Sequence, residues 1–126
     1  MKIGATLEGG DYLRALKKAH IYLLPSLREG APVTMIEAMA ASCVPMVGSC
    51  GGAAMLVTQD CGRLISITTP NQMALEIAAE IKTLWSNPGL LEKLGSAAVR
   101  RVASRCSESF YREHINGHYQ SISGKN

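Results

Sequence analysis

A chain of 126 residues with 47% apolar side chains carries enough non-polar surface for one globular core. Its 13 Lys and Arg against 10 Asp and Glu give a net charge of +3, interspersed along the chain, and aromatic residues make up only 5%, with Trp85 the sole tryptophan. The first feature argues against the basic patch of a duplex-binding protein, and the second against the stacking row of a single-strand binder.

The chain opens on a strand candidate at residues 1–4, without the charged-then-apolar leader of a secreted protein. It lacks the run of about 18 apolar residues that a membrane span needs, so a cytoplasmic setting is expected. Residues 11–19 place Tyr12, Leu13 and Leu16 on one helical face and Arg14, Lys17 and Lys18 elsewhere, which predicts a surface helix. The run HIYLL at 20–24 is short, apolar and closed by Pro25, as expected of a strand buried on both faces of a parallel sheet. His20 then reads as a structural histidine at the start of that strand.

Pro32 suits the first turn of a helix, where no amide donor is needed, and the pattern extends that helix to about Ser42, with Met35 and Met39 in the core. A second buried strand follows at 44–48 and runs into Ser49, Cys50, Gly51 and Gly52, a loop flexible enough to bring backbone close to a ligand. A short strand is predicted at 63–67. Strand, helix, strand in this order point to an α/β fold, a mainly parallel Rossmann-like sheet flanked by helices.

From Thr69 onward the texture is helical: Met73, Ile77, Ile81 and Leu84 recur at helical spacing, Asn87-Pro88 breaks the run, and 90–102 and 108–121 begin again. Arg100, Arg101 and Arg105 then lie on a solvated helix face. Residues 1–122 are expected to form one domain and 123–126 a frayed tail. The four cysteines, Cys43, Cys50, Cys61 and Cys106, form no C-x-x-C pair and no metal-ligand spacing, so buried free thiols are expected and no metal site is assigned.

The stretch PSLREGAPVTMIEA at 25–38 carries the chemistry. Glu29 stands in the loop beyond the carboxyl end of a strand, where open α/β sheets bind ligands. Glu37 lies about one and a half turns into the next helix. Between them the amides after Gly30 form a helix N-terminus, which favours a phosphate or a partly negative sugar oxygen. Spacing alone also fits a solvated loop carboxylate and a helix-surface charge. Arg28 fits either an exposed loop cation or a phosphate contact. Gly51 and Gly52 fit either a plain turn or a phosphate loop.

The whole string resembles the signature of the group-1 retaining glycosyltransferases of the two-domain GT-B architecture, in which an E-x7-E element is embedded in P-S-x-x-E-G-x-P-x-x-x-x-E-A. Every fixed position of that pattern is present in residues 25–38. The likeness continues through Val44-Pro45-Met46-Val47, Gly51-Gly52, Gly62-Arg63-Leu64-Ile65, Asn87-Pro88, Leu94-Gly95 and Phe110. It implies that Glu29 acts at the donor sugar near the reacting carbon and that Glu37 holds the ribose. Gly30, Ala31, Pro32, Val33 and Thr34 would carry the sugar and diphosphate.

The implied reaction is glycosyl transfer from a UDP-, GDP- or ADP-sugar with retained configuration, without a cofactor or an essential metal. In that family a basic Arg and Lys pair and an acceptor-binding N-terminal domain precede the segment matched here. Acid is also absent from 53–57, where the family commonly places a Glu, and Ser42-Cys43 stands where a single glycine is typical. The expectation is a donor-binding part that is inactive alone. It would be completed by a separate N-terminal-domain chain or by self-association, or would serve as a non-catalytic sugar-nucleotide-binding or interaction module.

Overall fold

The computed structural model describes residues 9–110 and residue 112. The expected opening strand at 1–4, most of the helix at 108–121 and the tail at 123–126 lie outside the described residues. In chain order the elements are α1 (Gly9–Lys18), β1 (Ile21–Leu24), α2 (Val33–Ala40), β2 (Val44–Gly48), α3 (Gly51–Leu56), β3 (Arg63–Ile65), α4 (Pro70–Trp85) and α5 (Pro88–Arg105). The three strands pair parallel in the order β1-β2-β3, with Tyr22 opposite Pro45 and Val47 opposite Leu64. This is the α/β architecture the sequence predicts.

Alternation along β2 decides how the core divides. Val47 joins Met35, Met39, Ala53, Val57, Cys61 and Ala98 on one face, under α2, α3 and the second half of α5. Val44 and Met46 point to the other face with Ile65, Met73, Leu84 and Leu94, under α4 and the first half of α5. All five β2 residues are buried, as befits a central strand covered twice.

β1 departs from expectation. It is the sheet's edge among the described residues, its positions are mostly half-buried, and Leu23 is 44% exposed. An apolar run reports that a strand wants cover, not which neighbour supplies it. His20 likewise precedes the strand and is exposed, so it is no buried structural histidine.

Local signals set the helix bounds. Thr69 and Asn87 accept hydrogen bonds from the amides of Gln72 and Leu90, each followed by proline in the first turn of α4 and α5. α2 ends in a Schellman turn: the amides of Ser42 and Cys43 donate to the carbonyls of Met39 and Ala38 at 3.0 and 2.9 Å. Ser42 supplies the left-handed residue, φ 69°, that glycine usually takes. Gly95 of α5 packs on this turn, where an added Cβ would stand 2.5 Å from the Ser42 carbonyl oxygen. Arg63 of β3 binds Glu80 of α4 at 2.9 Å in a half-buried pair.

Arg101 corrects the reading of its basic stretch as a solvated face. Its guanidinium donates to the carbonyls of Leu56 and Met55 at 2.9 and 3.2 Å, neutralising the negative end of α3, while Arg100 and Arg105 are exposed. All four cysteines are free: Cys43 and Cys61 are buried, Cys50 is half-buried and Cys106 is exposed. No described helix is long and apolar enough to cross a membrane.

Candidate functional site

The parallel strands end together, and the segments leaving β1 and β2 meet above them. The contact is backbone on backbone. A Cβ at Gly48 would stand 2.3 Å from the Ser26 carbonyl oxygen, one at Gly51 1.7 Å from that of Glu29, and one at Gly52 2.8 Å from that of Gly30. Gly51 also has φ +53°, a conformation side chains disfavour. The end of β2 and the first turn of α3 thereby fix the loop at 26–31, and with it the backbone of Glu29.

Gly51 and Gly52 are the first turn of α3 and not the loop expected from sequence. Paired glycines are poor helix formers, but the loop from β1 leaves room for nothing larger at their positions. Gly30 is different: it is exposed, and a Cβ there would meet nothing within 4 Å.

α2 begins at Val33 after Pro32, with no side-chain cap, and α3 begins after Cys50, also with no side-chain cap. Neither first turn contains an acidic residue. Neither positive helix end is offset by a cap or a first-turn acid of its own, and both lie at the end of the sheet where α/β proteins take ligands. Ala31, Val33 and Thr34 are exposed and Pro32 is half-buried at that tip. Arg28 is exposed in the loop and enters no ion pair among the described residues.

The two carboxylates are held by different elements. Glu29, half-buried, accepts a long hydrogen bond from the Ser26 hydroxyl at 3.4 Å, and the Cys50 thiol reaches the Ser26 carbonyl at 3.5 Å. Glu37, exposed on α2, accepts from the Tyr12 phenol of α1 at 3.0 Å. One turn earlier on α2, the Thr34 hydroxyl is hydrogen-bonded to that of Tyr22 at 2.8 Å. Tyr12, Tyr22, Ser26 and Cys50 were not singled out as site residues from sequence. The one available signal was that Tyr12 and Tyr22 carry hydroxyls within otherwise apolar patterns. Burial and the Glu37 carboxylate push the Tyr12 phenol above its ordinary pKa, so it is the donor at neutral pH.

Two cavities lie at the opposite end of the sheet. One of about 640 Å³ is lined by Ile21, Ile81, Leu84 and Trp85, and it shares Ala19, His20, Pro88 and Leu91 with a second of about 380 Å³. Neither touches Glu29 or Glu37. No cluster of three His, Cys, Asp or Glu among the described residues could hold a metal ion.

Among solved structures the chain is similar to sucrose-phosphate synthase from Thermosynechococcus elongatus, with a TM-score of 0.72 and 20% identity. The likeness covers 92% of this chain and 29% of the synthase, so the chain spans under a third of that protein's length. At that identity the match shows the α/β fold. A search of curated proteins finds no significant match. The family model for glycosyl transferases group 1 matches residues 5–101, most of the chain, and on that match the chain belongs to the group 1 glycosyltransferases.

Proposed function

We propose that these residues form the nucleotide-sugar donor site of a retaining glycosyltransferase and correspond to part of a GT-B C-terminal domain with an E-x7-E element. The observation that carries this reading is the close packing of the Glu29-Gly30 backbone on Gly51 and Gly52, which puts two helix N-termini without side-chain caps at one sheet edge. Such ends favour a diphosphate, and their dipoles would stabilise it as it leaves. Glu29 is the group at the donor sugar and carries the catalytic role. Glu37 holds the ribose, and the backbone from Gly30 through Ala31, Pro32, Val33 and Thr34 holds sugar and diphosphate. Gly51 and Gly52 serve as the second phosphate-facing turn. In the transfer the bond from the sugar's anomeric carbon to the diphosphate oxygen breaks, one to an acceptor hydroxyl oxygen forms with the same configuration, and that hydroxyl's proton passes to the departing diphosphate.

The 126 residues by themselves bind donor without transferring it. A sheet of three described strands and a match to 29% of the synthase support that reading, and so does the unpaired outer edge of β1 among the described residues. That edge supports completion of the cleft by further polypeptide or self-association. The same observations favour, as a second reading, a non-catalytic sugar-nucleotide-binding module. The free thiols support a reducing, cytoplasmic setting.

Calorimetry with UDP-, GDP- and ADP-sugars tests the site. One of them binds the intact chain, and Glu37→Ala weakens it by about tenfold or more, the cost of a hydrogen-bonded charged group. Absence of binding by every donor, or binding that ignores both Glu29→Ala and Glu37→Ala, would refute the proposal. Turnover of donor by the chain alone would refute only its incompleteness.

A further inference from the structure

Glu37 projects from α2 as an exposed carboxylate, a side chain that ordinarily samples several rotamers and loses that freedom on engaging a ligand. Here one of its oxygens, Oε2, accepts from the Tyr12 hydroxyl at 3.0 Å, while Oε1 accepts from no group among the described residues. The phenol is itself held. Tyr12 and Tyr22 pack on the cluster of Leu16, Ala38 and Cys43 that joins α1 to α2. The Cys43 thiol reaches the carbonyls of Leu16 and Ala19 at 3.3 and 3.4 Å, fixing the end of α1. Tyr22 in turn engages Thr34, one helical turn before Glu37 on the same side of α2.

We propose that Tyr12 is a positioning residue for the donor site: its hydroxyl holds the Glu37 carboxylate in one orientation, leaving Oε1 to accept from the vicinal hydroxyls of the nucleotide's ribose. This rests on the donor-site reading above. A carboxylate offers about four lone-pair directions, and Tyr12 occupies one, so the remaining capacity suits a pair of adjacent hydroxyl donors. Holding the group beforehand removes part of the ordering cost that ribose binding would otherwise bear.

The test is calorimetry on the full chain with UDP, GDP and ADP and their 2′-deoxy counterparts, in wild type, Tyr12→Phe, Glu37→Ala and the double variant. Tyr12→Phe keeps the ring in its cluster, and a cooperative thermal transition checks the fold. The expected result is about three- to tenfold weaker binding of the ribonucleotide that the wild type accepts, with the 2′-deoxy form altered less than about twofold. In the Glu37→Ala background the Tyr12 substitution has no further effect. Equal weakening of ribo and deoxy forms would mark Tyr12 as merely structural and overturn the inference, as would wild-type behaviour of Tyr12→Phe. A wild type without any Glu37-dependent preference for ribose would instead overturn the donor-site reading beneath it.

Discussion

At the carboxyl end of the sheet, Gly48, Gly51 and Gly52 let the backbone of one segment rest on another's. At the amino end, Ile21, Ile81, Leu84, Trp85 and Leu91 meet as side chains around an apolar groove. The first arrangement sets backbone directly on backbone and has no room for a methyl group. The second is adjustable, because rotamers can shift and solvent can enter. Chemistry that needs several groups held in register belongs at the first end, and the family's characteristic residues stand there.

Substitutions at the two ends should differ accordingly. Gly51→Ala must place a Cβ 1.7 Å from the Glu29 carbonyl oxygen at φ +53°, and it should cost about 3 kcal/mol by urea denaturation and disrupt donor binding. An Ala at Gly30 meets no atom, so Gly30→Ala should leave stability nearly unchanged and isolates any effect on ligand approach. If Gly51→Ala proves as mild as Gly30→Ala, the rigid end is not rigid.

At the amino end, the Ser42 turn tests whether an unfavourable backbone has been tolerated for want of glycine. Ser42→Gly should stabilise the chain by about 1 kcal/mol, read as a higher denaturation midpoint. Destabilisation would show that the serine side chain contributes more than its left-handed backbone costs.

The α1–α2 contact adds a pH dependence. The folded state holds the Tyr12 proton more tightly than the unfolded chain does, since burial and Glu37 raise its pKa above 10.0. The stabilisation is therefore fully present below pH 10 and lost as pH rises through the folded value. Denaturation midpoints of wild type and Tyr12→Phe should converge across that alkaline window, and a constant gap would contradict the assignment. At the amino end, Trp85 is 83% exposed, and Trp85→Ala should change stability by less than about 0.5 kcal/mol.

How much of this was legible in the chain follows from the range of the interactions. β2 reads cleanly because an apolar run lies between polar turns, and α4 and α5 read from Thr69-Pro70 and Asn87-Pro88, whose capping acts within a few residues. The strand-loop-helix context of Glu29 and Glu37 was legible for the same reason. Three features were not. Whether β1 is covered depends on strands beside it, Gly51-Gly52 becomes helical against a loop some 20 residues earlier, and Tyr12 reaches Glu37 across 25 residues. Each is decided by tertiary contact, which a local pattern does not encode.

The contrast between the two ends also gives the most direct test of the site. Backbone amide shifts of the intact chain, followed by NMR during titration with UDP, GDP and ADP, report where a nucleotide sits without presuming turnover. One nucleotide should move the amides of Gly30, Ala31, Val33, Thr34, Gly51 and Gly52 while Ile21, Trp85 and Leu91 stay still. Shifts gathered around Trp85 and Leu91, with the glycine-packed edge unmoved, would contradict the assignment.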